Sequence, residues 1–316
     1  MGKLRNKMER VKKAIVFPGQ GAQYIGMGKD FFDNFPQAQK IFKEADEILE
    51  RDISSICFFG PQEKLKETEI QQLAIVTVSI AIFEIFKQKY KGYREEISYL
   101  SGLSLGEYTA LYAGEVLDFK DTLILVKKRA EAMQKASLIN PSSMLAIIGA
   151  TEEELEKEKD GDFYISNLNS PQQVVISVSK DKKEEVKRMM QERGRKVIEL
   201  RVCGGFHSPF MEPARKELEE AIGKLKFKKS CFPLVSNFLA TSVEEPEKIK
   251  ESLLNQLTHP TYWQRCVEFM IANGVKVFFE IGPSKVLRGL IKKINPDVEV
   301  INVERIEDLE GGGDGL

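Results

Sequence analysis

The sequence predicts an α/β fold in two parts, and three observations carry that prediction. A short apolar strand, Lys13-Ala14-Ile15-Val16-Phe17, ends in the glycine-rich turn Pro18-Gly19-Gln20-Gly21-Ala22-Gln23. A second strand, Ile97 to Leu100, runs into Gly102-Leu103-Ser104-Leu105-Gly106 and then into a helix opening at Glu107. From Met144 to Val202 the units shorten and follow the order strand, helix, strand, strand, helix, strand. That order is the split, ferredoxin-like unit.

The elements follow from local chemistry. Phe35 to Leu49 has helical spacing, with Pro36 suited to a first turn. Leu73 to Gln88 is apolar nearly all round and reads as a central buried helix. Its apolar core, Leu73 to Phe83, is too short to span a bilayer and is interrupted by Thr77 and Ser79. Asp118 to Ala136 is a helix with Asp118 as N-cap and Asp121 in the first turn. Leu125, Arg129 and Met133 share one face of it, so Arg129 rises from a partly apolar stripe, where arginines commonly snorkel to water.

Beyond it, Met144 to Gly149 reads as a strand, and Thr151 to Lys159 as a helix opened by a Thr151–Glu154 capping box. Phe163 to Leu168 and Gln173 to Val178 are strands joined through Asn169-Ser170-Pro171. Asp181 to Glu192 is a helix closed by Gly194, and Val197 to Val202 is a strand. Pro233 to Asn237 resumes a strand, Val275 to Ile281 is the last one, and Lys285 to Ile294 is a helix. The boundaries expected are a core over 11–140 and 204–306, an inserted subdomain over 141–203, and a disordered tail over 307–316.

Composition excludes several classes. The 316 residues are 42% hydrophobic and 30% charged, enough for a large core. With 47 basic and 48 acidic residues, no global field argues for nucleic acid or a membrane surface. Cys57, Cys203, Cys231 and Cys266 are scattered, with no C-x-x-C pair. They fit a reduced, cytoplasmic protein better than a disulfide framework or a zinc site. The basic stretch Met1 to Lys13 has no apolar segment behind it and does not read as a signal peptide.

Ser104 carries the chemistry. Gly-x-Ser-x-Gly between a strand and a helix is an elbow that exposes a serine hydroxyl in a strained turn. The N–H of Leu105 and the helix N-terminus beside it can stabilise an oxyanion. The bland alternative is a glycine-flanked serine in an ordinary loop. The turn at 18–23 is no Walker loop, because no Gly-Lys-Ser/Thr follows, and Tyr24 stands where a dinucleotide fingerprint needs its third glycine. Only two histidines exist, His207 and His259. His207 follows Cys203-Gly204-Gly205-Phe206 just past a strand end, which favours it as the base for Ser104.

Together these pieces resemble the malonyl-CoA:acyl carrier protein transacylases of bacterial fatty acid synthesis, from about Ala14 to about Ile294. The motifs are Phe-Pro-Gly-Gln-Gly at 17–21, Gly-Leu-Ser-Leu-Gly-Glu at 102–107, Arg129 in its helix, and Asn-Ser-Pro at 169–171. Gly-Gly-Phe-His at 204–207, Gln256-Leu257 with Trp263 beyond, and Glu280-Ile281-Gly282-Pro283 complete the set. The resemblance implies a hydrolase-like core around a parallel sheet with the ferredoxin-like unit inserted. It implies Ser104 as nucleophile, His207 as base, Arg129 on the substrate carboxylate, and the backbone N–H groups of Gln20 and Leu105 as oxyanion hole. Gln256 would orient the histidine through its backbone carbonyl. The partners implied are malonyl-CoA and acyl carrier protein, with no cofactor and no metal.

One departure is Leu103, where the family usually has histidine. Phe206 resembles the malonyl-selective branch and suggests a narrow site. Two rivals stand beside this reading. A thioesterase-like hydrolase would favour His259 as its base, and a non-catalytic acyl-binding subunit would form no covalent intermediate. Carrier proteins of this kind are acidic, which makes Lys182, Lys183, Lys187 and Arg188 docking candidates against the plainer reading of a solvated helix face.

Overall fold

The computed structural model describes residues 11–159 and 161–310. Its strands are β1 (Lys12–Phe17), β2 (Ile97–Gly102), β3 (Ser142–Ile148), β4 (Phe163–Ser170), β5 (Gln173–Ser179), β6 (Lys196–Glu199), β7 (Leu234–Val235), β8 (Ser242–Val243), β9 (Val275–Ile281) and β10 (Glu299–Val303). Six of them form a sheet in the order β10-β9-β1-β2-β7-β8, parallel except for β8. β1 is fully buried from Ala14 to Phe17 because it lies between β2 and β9 and is covered on both faces. Ile15 and Phe17 pack into the main core, while Ala14 and Val16 pack with Trp263 and Phe278 on the opposite face. A continuous apolar run is what a doubly covered parallel strand requires.

The main core is built around the helix Thr68–Lys89. It starts five residues before the expected Leu73. At 22 residues it is long and apolar enough to cross a membrane, yet 94% of its most apolar window is buried inside the protein. Three polar residues of its start, Thr68, Gln71 and Gln72, are buried as well. That stretch is helical because it packs, which hydropathy alone does not reveal.

β3 to β6 form a second, antiparallel sheet in the order β4-β5-β3-β6, with the helices Glu152–Glu158 and Lys183–Glu192 as its crossovers. This is the ferredoxin-like arrangement, and the Thr151–Glu154 capping box forms as expected. The sheet has two apolar faces with strict alternation. Leu145, Ile147, Val174 and Ile176 pack in the subdomain's own core, whereas Met144, Ala146 and Val175 face the main core.

Three expectations need correction. The strand foreseen over Val197–Val202 stops at Glu199, because the chain leaves the exposed edge there and Leu200 and Val202 turn into a cleft. The strand foreseen over Pro233–Asn237 is two residues long, Leu234–Val235. The tail expected to be disordered from 307 is helical over Ile306–Glu310. It is tied down by Ile306 N donating to Asp30 Oδ2 (3.0 Å), and Asp308 accepts from the N–H groups of Glu304 and Arg305. The remaining tail, 311–316, and the basic Met1–Arg10 stretch lie outside the described residues.

Candidate active site

The site begins where β1 and β2 end. Their register pairs Phe17 with Gly102, so the loop at Pro18-Gly19-Gln20 and the turn at Ser104 leave adjacent strands at the same edge of the sheet. This is the carboxyl edge, where open α/β sheets place ligands. Ser104 has φ +52°, the left-handed region that side chains rarely adopt. The flanking glycines are needed for close approach. A Cβ on Gly102 would stand 2.1 Å from the Gly106 carbonyl carbon, and one on Gly106 would stand 2.1 Å from the Phe17 oxygen.

His207 comes from the loop beyond β6, also with positive φ (+57°), and is buried. Its Nε2 lies 2.7 Å from Ser104 Oγ, and its Nδ1 lies 2.6 Å from the carbonyl oxygen of Gln256. A carbonyl can only accept, so Nδ1 carries the hydrogen and Nε2 is left to take the serine proton. Burial, with Arg129 nearby, pushes the pKa of His207 down to about 3. The ring is therefore a neutral acceptor at neutral pH. His259 is exposed at the end of the helix Pro246–Thr258, where its Nδ1 meets Asn255 O at 3.0 Å and its ring packs on Phe238. The structure pairs Ser104 with His207 and leaves His259 outside.

Arg129 does not snorkel. It is 1% exposed on the helix Phe119–Ile139 and forms no ion pair among the described residues. Nη1 donates to Gln72 Oε1 (2.7 Å), and Nη2 donates to Ser104 Oγ (3.0 Å) and Gln256 Oε1 (3.4 Å). Nε has no acceptor. The guanidinium carbon stands 5.2 Å from the centre of the Tyr108 ring, a cation–π distance. Burial lowers its pKa, but a guanidinium remains charged. A buried, unpaired cation beside a serine hydroxyl is a costly arrangement for folding alone.

Gln20 lines the same cleft and is braced by its side chain. Its Nε2 donates to Gln71 Oε1 (2.7 Å), and its Oε1 accepts from Gln72 Nε2 (3.3 Å). Leu105 immediately precedes the helix Gly106–Ala113. The cleft has about 120 Å³ of free volume. One wall carries Gly19, Gln20, Leu103, Ser104, Phe206 and His207; the other is the second sheet and its exit, with Met144, Asn167, Asn169, Val175, Leu200 and Val202. Lys182 and Lys183 are answered within the subdomain, by Glu185 at 3.0 Å and Glu199 at 2.8 Å.

Sequence reasoning missed three polar side chains behind the Ser104–His207 pair. Gln72 holds Arg129, Asn237 accepts from Ser104 N (2.6 Å), and the Glu107 carboxylate accepts from the Gln256 side-chain amide. The available signals were Gln72 inside a buried helix and Glu107 at the end of the Gly-Leu-Ser-Leu-Gly-Glu motif.

The sequence profile of the acyl transferase domain matches residues 14–306. The chain is 40% identical over 306 residues to the malonyl CoA-acyl carrier protein transacylase of Bacillus subtilis (strain 168), covering 95% of each. The crystal structure of such a transacylase from Clostridium perfringens superposes with a TM-score of 0.88 at 37% identity, again over 95% of each chain. A malonyl-transacylase solved in complex with a type II polyketide acyl-carrier protein superposes at 0.89 with 34% identity, over 95% of this chain and 98% of that one.

Proposed function

The chain belongs to the acyl transferase family, and on that premise we propose that Ser104, His207 and Arg129 work as nucleophile, general base and carboxylate anchor. The enzyme moves a malonyl group from malonyl-CoA, through a serine ester, to the phosphopantetheine thiol of acyl carrier protein in fatty acid biosynthesis. We place this step in the cytoplasm, in keeping with four cysteines that are all free thiols.

The first half-reaction starts from the 2.7 Å contact between Ser104 Oγ and His207 Nε2. Oγ attacks the thioester carbonyl while its proton passes to Nε2. The imidazolium that forms keeps its Nδ1–H on the Gln256 carbonyl, which holds the ring and needs no carboxylate. The tetrahedral oxyanion accepts from the N–H groups of Gln20 and Leu105, each worth ~3 kcal/mol of barrier by analogy with measured donors of this kind. The C–S bond breaks, the departing sulfur takes the proton from Nε2, and malonyl-Ser104 remains. In the second half-reaction His207 takes the proton of the carrier's thiol. That sulfur attacks the ester carbonyl, and the proton returns to Ser104 Oγ as the ester bond breaks.

The observation that carries the substrate assignment is Arg129, buried, unpaired, and 3.0 Å from the nucleophile. Its planar fork matches a carboxylate in bidentate geometry, and its Nε donor has no partner within the protein. The test is intact mass after mixing with malonyl-CoA. A single malonyl adduct mapped to Ser104, absent in Ser104→Ala, is expected; an adduct that survives in the mutant would move the nucleophile elsewhere.

A further inference from the structure

Ser104 and His207 lie 103 residues apart in sequence, and both hold positive φ. Side-chain-bearing residues in such a conformation cost of order 1–3 kcal/mol each and persist only when their surroundings over-determine them. Two buried residues with no part in the steps above do this.

Asn237, fully buried just past β7, uses all four of its polar groups. Its Oδ1 accepts from Ser104 N (2.6 Å) and its Nδ2 donates to Gly102 O (2.8 Å), so one side-chain amide grips the elbow on both sides of Leu103. Its backbone O accepts from Tyr262 N (2.8 Å), and its backbone N donates to Glu107 Oε1 (2.8 Å). The second oxygen of Glu107 accepts from Gln256 Nε2, which also donates to Ser104 O (3.1 Å). Gln256 is the residue whose carbonyl holds His207. A continuous hydrogen-bonded bridge therefore runs Ser104–Asn237–Glu107–Gln256–His207 and closes behind the reacting atoms. Neither Asn237 nor Glu107 lines the substrate cleft. Glu107 borders a separate gap of about 10 Å³ behind the elbow.

We infer that Asn237 and Glu107 are positioning residues, a bridge that fixes the strained elbow and the histidine-orienting carbonyl in one register so that Oγ and Nε2 stay in proton-transfer contact. This rests on Ser104 and His207 being the reacting pair. A buried carboxylate thus serves this dyad at one remove, through an amide side chain, and does not touch the imidazole. A displacement of about 1 Å at a reacting group costs about 100-fold in rate, and that is the scale expected here.

The experiment measures kcat and KM for malonyl transfer, melting temperature, and the site of the malonyl adduct, in Asn237→Ala, Glu107→Gln and the control Ser101→Ala. Ser101 Oγ donates to Val235 O (2.8 Å) in the same β2–β7 seam and borders the same small gap as Glu107, but its side chain hydrogen-bonds to no bridge residue and does not line the cleft. Asn237→Ala should lose about 100-fold in kcat, and Glu107→Gln about tenfold, because the new amide meets the Gln256 amide donor to donor. KM should stay within about threefold in both, with the adduct still on Ser104. Ser101→Ala should melt earlier with kcat within about twofold. Glu107→Gln keeps the side chain's size and decides the matter if Asn237→Ala does not fold. A folded Glu107→Gln or Asn237→Ala that behaves like Ser101→Ala, or that loses rate only through KM, overturns the inference. An adduct away from Ser104 in the wild type overturns the dyad assignment itself, which is a separate result.

Discussion

The two walls of the cleft are built by different rules. The large-sheet wall is polar where it matters: a left-handed serine stands within hydrogen-bond distance of a buried neutral histidine on one side and of a buried guanidinium behind it. The second-sheet wall offers Met144, Val175, Leu200 and Val202 with two asparagines, and it packs by plain alternation of apolar residues. The first wall carries strain and desolvated charge, each of which costs stability. The second is an ordinary packed surface that shapes and covers. The difference separates chemistry from enclosure: substitutions on one wall should move rate, and on the other stability or affinity.

The sharpest way to break this division is His207. His207→Ala should lower malonyl transfer by several orders of magnitude, since general-base catalysis contributes about 10²- to 10⁴-fold and the dyad acts as a unit. His259→Ala, at an exposed helix end, should change kcat severalfold at most, read by the same carrier-loading assay. Equal losses in the two mutants would erase the distinction between the buried wall and the surface.

The pH dependence probes the same wall with a smaller signal. His207, pushed down to about 3, should contribute no limb to kcat/KM between pH 5 and 8, because Nε2 already stands free of a proton throughout. Burial pushes the Glu107 carboxylate up to about 7, so a limb near neutrality belongs to Glu107 and should vanish in Glu107→Gln. The stability consequence of His207 has a definite sign. In the unfolded chain it takes a proton below about 6.5, in the folded protein only near 3. The unfolded state therefore binds more protons in between, and stability falls as pH drops through that window. Urea titrations from pH 7 to 4 should show the wild type losing more stability than His207→Ala.

The mildest prediction concerns the opposite wall. Val175→Ala removes about two methylene equivalents from a position 2% exposed, at roughly 0.8 kcal/mol each, or ~1.6 kcal/mol of stability. Urea midpoints should register that loss while kcat for malonyl transfer stays within about twofold. A large fall in kcat would mean that this wall takes part in the chemistry.

The same contrast explains what could be read from the sequence. The elbow, the capping box at Thr151 and the strand order of the second sheet were legible because each is written within a few neighbouring residues. The Ser104–His207 contact was legible because histidine is scarce, glycines flank the serine and two glycines precede Phe206-His207. The bridge through Asn237 and Glu107 was not, since those two residues meet Ser104, each other and Gln256 across 130 or more residues of sequence. The enclosure of Arg129 was left open on local grounds. Its apolar stripe suggested snorkelling, and only the packing of Thr68–Lys89 and Gly106–Ala113 around it shows that it is enclosed. The chain from Pro246 to Ala272 holds two helices whose polar and apolar residues gave no strong local signal.

Arg129 also supplies the most direct test of the account, because its central claim is that a buried cation is held open beside the nucleophile for the substrate's free carboxylate. The measurement is the ratio of kcat/KM for malonyl-CoA to that for acetyl-CoA, in the wild type and in Arg129→Ala. Removing one partner of a buried charge pair costs roughly 2–5 kcal/mol, which is about 30- to several-thousand-fold for the malonyl thioester. Acetyl transfer has no carboxylate to lose and should be unchanged or raised. The ratio should therefore collapse, and Arg129→Lys should restore part of it, since a point charge cannot make both hydrogen bonds. If both thioesters fall by the same factor, Arg129 supports the fold and does not read the carboxylate.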